Sequence, residues 1–146
     1  MFEGGCHCGT FRVALRTSCA PHELELRQCT CSFCRKHGAT TLADTEGRLA
    51  IHIVDVAEAV RYRFAPRTAD FLICGRCGVY VAAVLATEEG TVAALNLNVL
   101  DQRVAFSRPP TVVDYSDETP ADRRRRRAES WTVTTVAVGP LSAEGG

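Results

Sequence analysis

The sequence predicts a mainly β protein of one domain, and three observations carry that expectation. Apolar and polar residues alternate with a period of two through most of the chain, as half-buried strands require. Turn-forming residues punctuate those runs at short intervals. The length of 146 residues with 46% apolar content is enough to line one core and too little for two.

In chain order, TFRVALR at 10–16 places Phe11, Val13 and Leu15 on one face and Arg12, Ala14 and Arg16 on the other. The same alternation predicts strands at ELELR (23–27), RLAIHIV (48–54), AVRYRF (59–64), FLIC (71–74), GVYVAAVL (78–85), TVAALNLNV (91–99) and WTVTTVAV (131–138). Between them lie Glu46-Gly47, Ala65-Pro66, Glu88-Glu89-Gly90 and Ser107-Arg108-Pro109-Pro110, all turn chemistry. One short C-terminal helix is expected within DETPADRRRRRAES, 117–130, where Pro120 suits the first turn and acidic residues precede basic ones. The domain is expected to run from 1 to 138, and GPLSAEGG at 139–146 reads as a disordered tail.

Charge and hydropathy exclude several classes of function. Lys plus Arg and Asp plus Glu are 17 each, so no global field draws the chain to nucleic acid or anionic lipid. The longest apolar run, VYVAAVLA at 79–86, is far short of the roughly 20 residues that span a bilayer. MFEGGCHCGT has neither a basic n-region nor an apolar h-region, and the expected location is cytoplasmic. No membrane or nucleic-acid partner is therefore expected; nor does composition say whether copies associate.

Eight cysteines in a reducing compartment need a purpose other than disulfides, and metal binding is the first to consider. Seven fall into three groups: Cys6 and Cys8; Cys29, Cys31 and Cys34; Cys74 and Cys77. Cys19 stands apart as a small apolar residue. Cys6 and Cys8, at i and i+2 on an extended backbone, face one way. CGRCG at 74–78 is a knuckle whose glycines permit the tight turn around the sulfurs. Together these pairs make a four-cysteine zinc site of the closed kind. Cys29, Cys31 and Cys34 then form a three-ligand set that leaves one coordination position for a substrate, the layout of a catalytic zinc. Spacing leaves other partitions open, with Cys74 and Cys77 joining two of the central three, or His7 or His37 supplying a ligand.

These motifs have a family likeness. GGCHCG at 4–9, CTCSFCRKHGA at 29–39 and CGRCG at 74–78 closely resemble, in that order, the glutathione-dependent formaldehyde-activating enzymes, over about residues 2 to 100. The resemblance implies a zinc-bound β-tent of small antiparallel sheets holding two Zn2+ ions. Cys6, Cys8, Cys74 and Cys77 match the structural site, and Cys29, Cys31 and Cys34 the exchangeable catalytic one. It implies a carbon-sulfur lyase activity that forms S-(hydroxymethyl)glutathione from formaldehyde and glutathione.

The open position would receive a thiol, deprotonated by the metal, for addition to the carbonyl carbon of formaldehyde or another small aldehyde. A thiol carrier without catalysis and a zinc-ribbon interaction module are the alternatives. Arg35, Lys36 and His37 follow the third ligand directly and are candidates for substrate binding through charge and proton transfer. Arg123 to Arg127 are expected to be mostly solvated, and Trp131 to pack in the core or at a hinge.

Overall fold

A computed structural model describes residues 1–64 and 69–141, so the expected turn at Ala65-Pro66 and most of the expected tail lie outside the described residues. The fold is mainly β. Its strands are β1 (Phe2–Gly5), β2 (Phe11–Arg16), β3 (Leu26–Cys29), β4 (Thr41–Leu42), β5 (Arg48–Ile53), β6 (Ala59–Tyr62), β7 (Asp70–Cys74), β8 (Tyr80–Thr87), β9 (Gly90–Asn96), β10 (Thr111–Val113) and β11 (Thr132–Val138). Two helices accompany them, α1 (Ser32–His37) and α2 (Pro120–Ser130).

Each alternating run yields a strand, with shifted ends in several cases. ELELR is the largest shift: Pro21–Glu23 forms a 3-10 turn and the strand starts only at Leu26. At the far end of β9, the Asn96 side chain accepts a hydrogen bond from the Asn98 N–H and turns Leu97–Val99 into a 3-10 helix, cutting the expected strand short. α2 starts where Pro120 predicts, capped by the Thr119 hydroxyl. Four elements carry too little periodicity to be predicted: β1, β4 and β10, which have two to four residues, and α1, which is read from its caps below.

The expected small antiparallel sheets are joined instead into one 11-stranded hydrogen-bonded network. Two of its pairings are parallel, β11 with β5 and β10 with β3. The network forks at β9. One edge of β9 pairs antiparallel with β8. The other edge is shared, Thr91 to Ala93 with β11 and Leu95 and Asn96 with β4. β3 and β10 continue beyond β4, while β5, β2 and β1 continue beyond β11.

The β8–β9 hairpin is apolar on both faces and separates two cores. Along β9, Ala93 and Leu95 belong to a core with Phe11, Ile51 and Leu72, whereas Val92 and Ala94 belong to one with Phe71, Tyr80 and Trp131. That alternation is the two-residue period of a strand buried on both sides. In β8 the alternation is interrupted: Ile73 faces Tyr80 while Leu72 faces Ala82, so Val81 is one residue more than its partner strand supplies. The resulting bulge places Val81 and Ala82 together in the first core and keeps Tyr80 in the second.

Candidate metal centres and the cavity above one of them

Each cysteine cluster sits in one of the two cores. Cys6 and Cys74 are buried in the first with Cys77 packed against it, and Cys34 is buried in the second with Cys29 and Cys31 against it. The sulfurs within each cluster all lie within 4.8 Å of one another, and no histidine joins either. The partition is thus the one with four and three cysteines. His7 is exposed.

In the four-cysteine cluster the backbone does the positioning. Cys6 donates its N–H to the Phe11 carbonyl at 3.0 Å, and the Phe11 N–H points back at the Cys6 Sγ at 3.2 Å. The knuckle closes through Gly78 N–H to the Cys74 carbonyl at 2.8 Å, with Gly78 at φ +82°, a conformation that glycine adopts without strain. Cys8 Sγ is 3.7 Å from Cys6 Sγ and 3.6 Å from Cys74 Sγ, which joins residues 66 apart in sequence. The Thr10 hydroxyl and N–H hold the Cys8 thiol down at about 6, whereas burial pushes Cys6 up to about 11. Burial also acts to raise Cys77, but hydrogen bonds from the backbone at Val79 and Cys8 outweigh it and hold the thiol below its ordinary value.

The second cluster depends on α1. Cys29 ends β3, Cys31 is the residue capping the helix, and Cys34 lies one turn on, its N–H directed at the Cys31 Sγ at 3.4 Å. Positions i and i+3 of a helix share a face, so the C-x-x-C part of the motif converges once the helix forms. Gly38 ends the helix in the left-handed conformation at φ 60°. The thiols of Cys29 and Cys34 donate toward Cys31 and hold it far below the usual thiol range. The same contacts with Cys29 and Cys31, and burial, drive Cys34 far above it, and Cys31 also raises Cys29. Three thiolates at these separations place like charges together, which a cation among the sulfurs would relieve. Thiolates at these separations suit a soft or borderline divalent ion, so both clusters fit zinc by donor chemistry.

A cavity of about 610 Å³ opens over the three-cysteine cluster and is lined by Cys29, Cys31 and Cys34, but by none of the other four ligand candidates. Phe64, Phe71, Tyr80 and Trp131 supply aromatic walls. Burial, with the charges at Cys34 and Cys31, raises the Tyr80 phenol well above its ordinary value, so it remains a neutral hydroxyl at physiological pH. Part of the lining is basic: Arg27 comes from β3, and Arg123, Arg126 and Arg127 come from α2. Glu118 organises that wall, accepting from Arg126 Nε at 2.8 Å and Nη2 at 3.0 Å, with Arg123 Nε 3.6 Å away. The Arg126 guanidinium also lies 3.4 Å from the centre of the Tyr115 ring, and that of Arg127 4.9 Å from the Trp131 ring.

The tertiary arrangement changes which basic residues concern this site. Arg35, Lys36 and His37 are exposed and do not line the cavity; the His37 ring lies 4.4 Å from Phe33. The helix that brings Cys31 and Cys34 together turns the next three residues away. The arginine run expected to be mostly solvated does the reverse in part: Arg123, Arg126 and Arg127 are half-buried at i, i+3 and i+4, and only Arg124 and Arg125 are exposed. That spacing was present in the sequence, but a run of five like residues hides which three share a face.

A model of the glutathione-dependent formaldehyde-activating enzyme family matches residues 1–116, which include all seven clustered cysteines. The chain is also similar to a crystal structure of a Rhodobacter sphaeroides protein, at 25% identity and a TM-score of 0.54, covering 75% of this chain and 99% of that one. α2 and β11 lie beyond the family match. With the order, spacing and clustering of its cysteines all in agreement, the chain belongs to the glutathione-dependent formaldehyde-activating enzyme family.

Proposed function

We propose that the protein is a zinc-dependent carbon-sulfur lyase-type enzyme that adds a thiol, glutathione or a similar one, to formaldehyde or another small aldehyde. Cys6, Cys8, Cys74 and Cys77 would hold a structural zinc, and Cys29, Cys31 and Cys34 an exchangeable one. The observation that carries the reading is that the three-cysteine set, and not the four-cysteine set, lines the large cavity. When bound there, the metal supplies an open position at which a thiol becomes a thiolate at neutral pH.

The chain's own residues account for the rest. Four cysteines leave no position for a substrate, so the first cluster serves folding, while three leave one. Buried Tyr80, held as a hydroxyl, is a hydrogen-bond donor on the cavity wall toward an oxygen that gains charge as a carbonyl is attacked. Phe64, Phe71 and Trp131 on the lining would give the carbonyl carbon an apolar surround. Arg35, Lys36 and His37 retain a role in this proposal only at the outer approach to α1. Eight free cysteines fit a cytoplasmic setting.

The deciding experiment adds glutathione to zinc-loaded protein while formaldehyde consumption and zinc content are followed. Adduct formation faster than in protein-free buffer is expected. Thiol binding with an unaltered rate would make the protein a carrier instead.

A further inference from the structure

The reacting groups, a thiol and a carbonyl, do not account for one feature of the cavity, its basic wall. Arg27, Arg123, Arg126 and Arg127 line the space. Among the described residues three carboxylates stand against them, Glu25 at 3.8 Å from Arg27 Nε, Asp114 on the lining, and Glu118 beside Arg126 and Arg123. Burial lowers Arg127 only to about 10, so it stays charged at neutral pH.

The guanidinium forks retain donors. Arg126 uses Nε and Nη2 on Glu118, and Arg123 uses Nη2 on the Tyr115 carbonyl, leaving Nη1 of each with no hydrogen bond among the described residues. Glu118 and the Tyr115 ring hold Arg126, and Glu118 and the Tyr115 carbonyl hold Arg123, so little rotamer freedom remains to be lost on binding. Formaldehyde, small and uncharged, needs no such wall. The α2 part of the wall, Arg123, Arg126 and Arg127, also stands outside the family-matched segment, because α2 begins at Pro120 and the match ends at 116.

We propose that Arg123 and Arg126 are specificity-determining residues of this chain, which make the cavity select a ligand with a carboxylate end while its reacting end faces Cys29, Cys31 and Cys34. The proposal rests on the thiol-aldehyde reading above. The carboxylate can arrive on the thiol or on the carbonyl partner, since the wall meets the same group in either case.

Trp131 is the single tryptophan of the chain and lines the cavity, so its fluorescence reports binding without turnover. Zinc-loaded protein is titrated separately with 3-mercaptopropionate, its neutral amide, propionate and glyoxylate. The carboxylate thiol is expected to bind roughly tenfold or more tighter than the amide, with the gap shrinking as salt is added. Arg123→Gln and Arg126→Gln should each close much of that gap, Arg126→Lys should keep part of it, and Arg124→Gln, at an exposed position, should leave it alone. The comparison of ligands on the unaltered protein holds even if a variant loses α2.

Equal affinity for the two thiols, with glyoxylate binding that ignores Arg123 and Arg126, overturns the proposal while leaving thiol binding intact. Arginine-dependent binding of propionate as tight as that of the mercapto acid keeps the anion wall and defeats the thiol reading. Arginine-dependent glyoxylate binding without preference between the thiols keeps the proposal and puts the carboxylate on the carbonyl partner.

Discussion

Cys31 is the hinge of the three-cysteine set, since its sulfur receives the Cys34 N–H and its carbonyl receives that of Arg35 at 2.9 Å. A Cys31→Ala change should remove one metal equivalent and leave the fold, because the change costs one weak cap and the packing of one partly buried sulfur. Cys77→Ser should do the opposite: weakening a site of the closed kind withdraws part of a folding energy that is on the order of 10 kcal/mol at neutral pH. Metal content and circular dichroism on the two variants check both outcomes, and loss of both metals from Cys31→Ala would sink the two-site partition. These seven cysteines were legible from spacing, since period-two and period-3.6 geometry fix which sulfurs can converge locally. Arg123, Arg126 and Arg127 were not, because their partner residues Tyr115, Glu118 and Trp131 acquire meaning only once the helix docks.

Among the elements, the first hairpin and α2 make separate predictions. Gly4 of β1 lies against the carbonyl of Val99, where an added Cβ would stand 1.9 Å from that oxygen. Gly4→Ala should therefore destabilise by about 1–3 kcal/mol, read as a shift in a urea midpoint, because backbone on both sides must yield. α2 should loosen in acid. Arg126, ahead of Arg123, holds the Glu118 carboxyl below its ordinary value of 4.5. Its folded value is the lower one, so the stability it adds is complete above the unfolded value and is lost as pH falls through the folded one. Trp131 fluorescence should show a transition below about pH 4.5. Glu118→Gln should abolish that transition; an unchanged profile would remove Glu118 as its cause. Strand existence was readable in β2 and the other alternating runs but not in β1, and the end of β9 moved because the Asn96 side chain captured a backbone N–H.

At the scale of the whole molecule, the double-faced β8–β9 hairpin keeps the two clusters in different cores, and so they should fail independently. A chelator added in steps should release metal in two phases, first from the set that lines the cavity and then, together with unfolding, from the set tied into the core of β2 and β5. A single phase with simultaneous unfolding would show that the hairpin does not insulate them. What the sequence by itself determined was the β class, the three local cysteine motifs from which the clusters are built and the start of α2. All three follow from local periodicity, spacing and caps. Tertiary structure alone decided the fork at β9, the bulge that turns Tyr80 toward the three cysteines, and the arginine wall from α2. These depend on pairings between segments far apart in the chain, and an alternating strand has two faces that look alike until something packs on each.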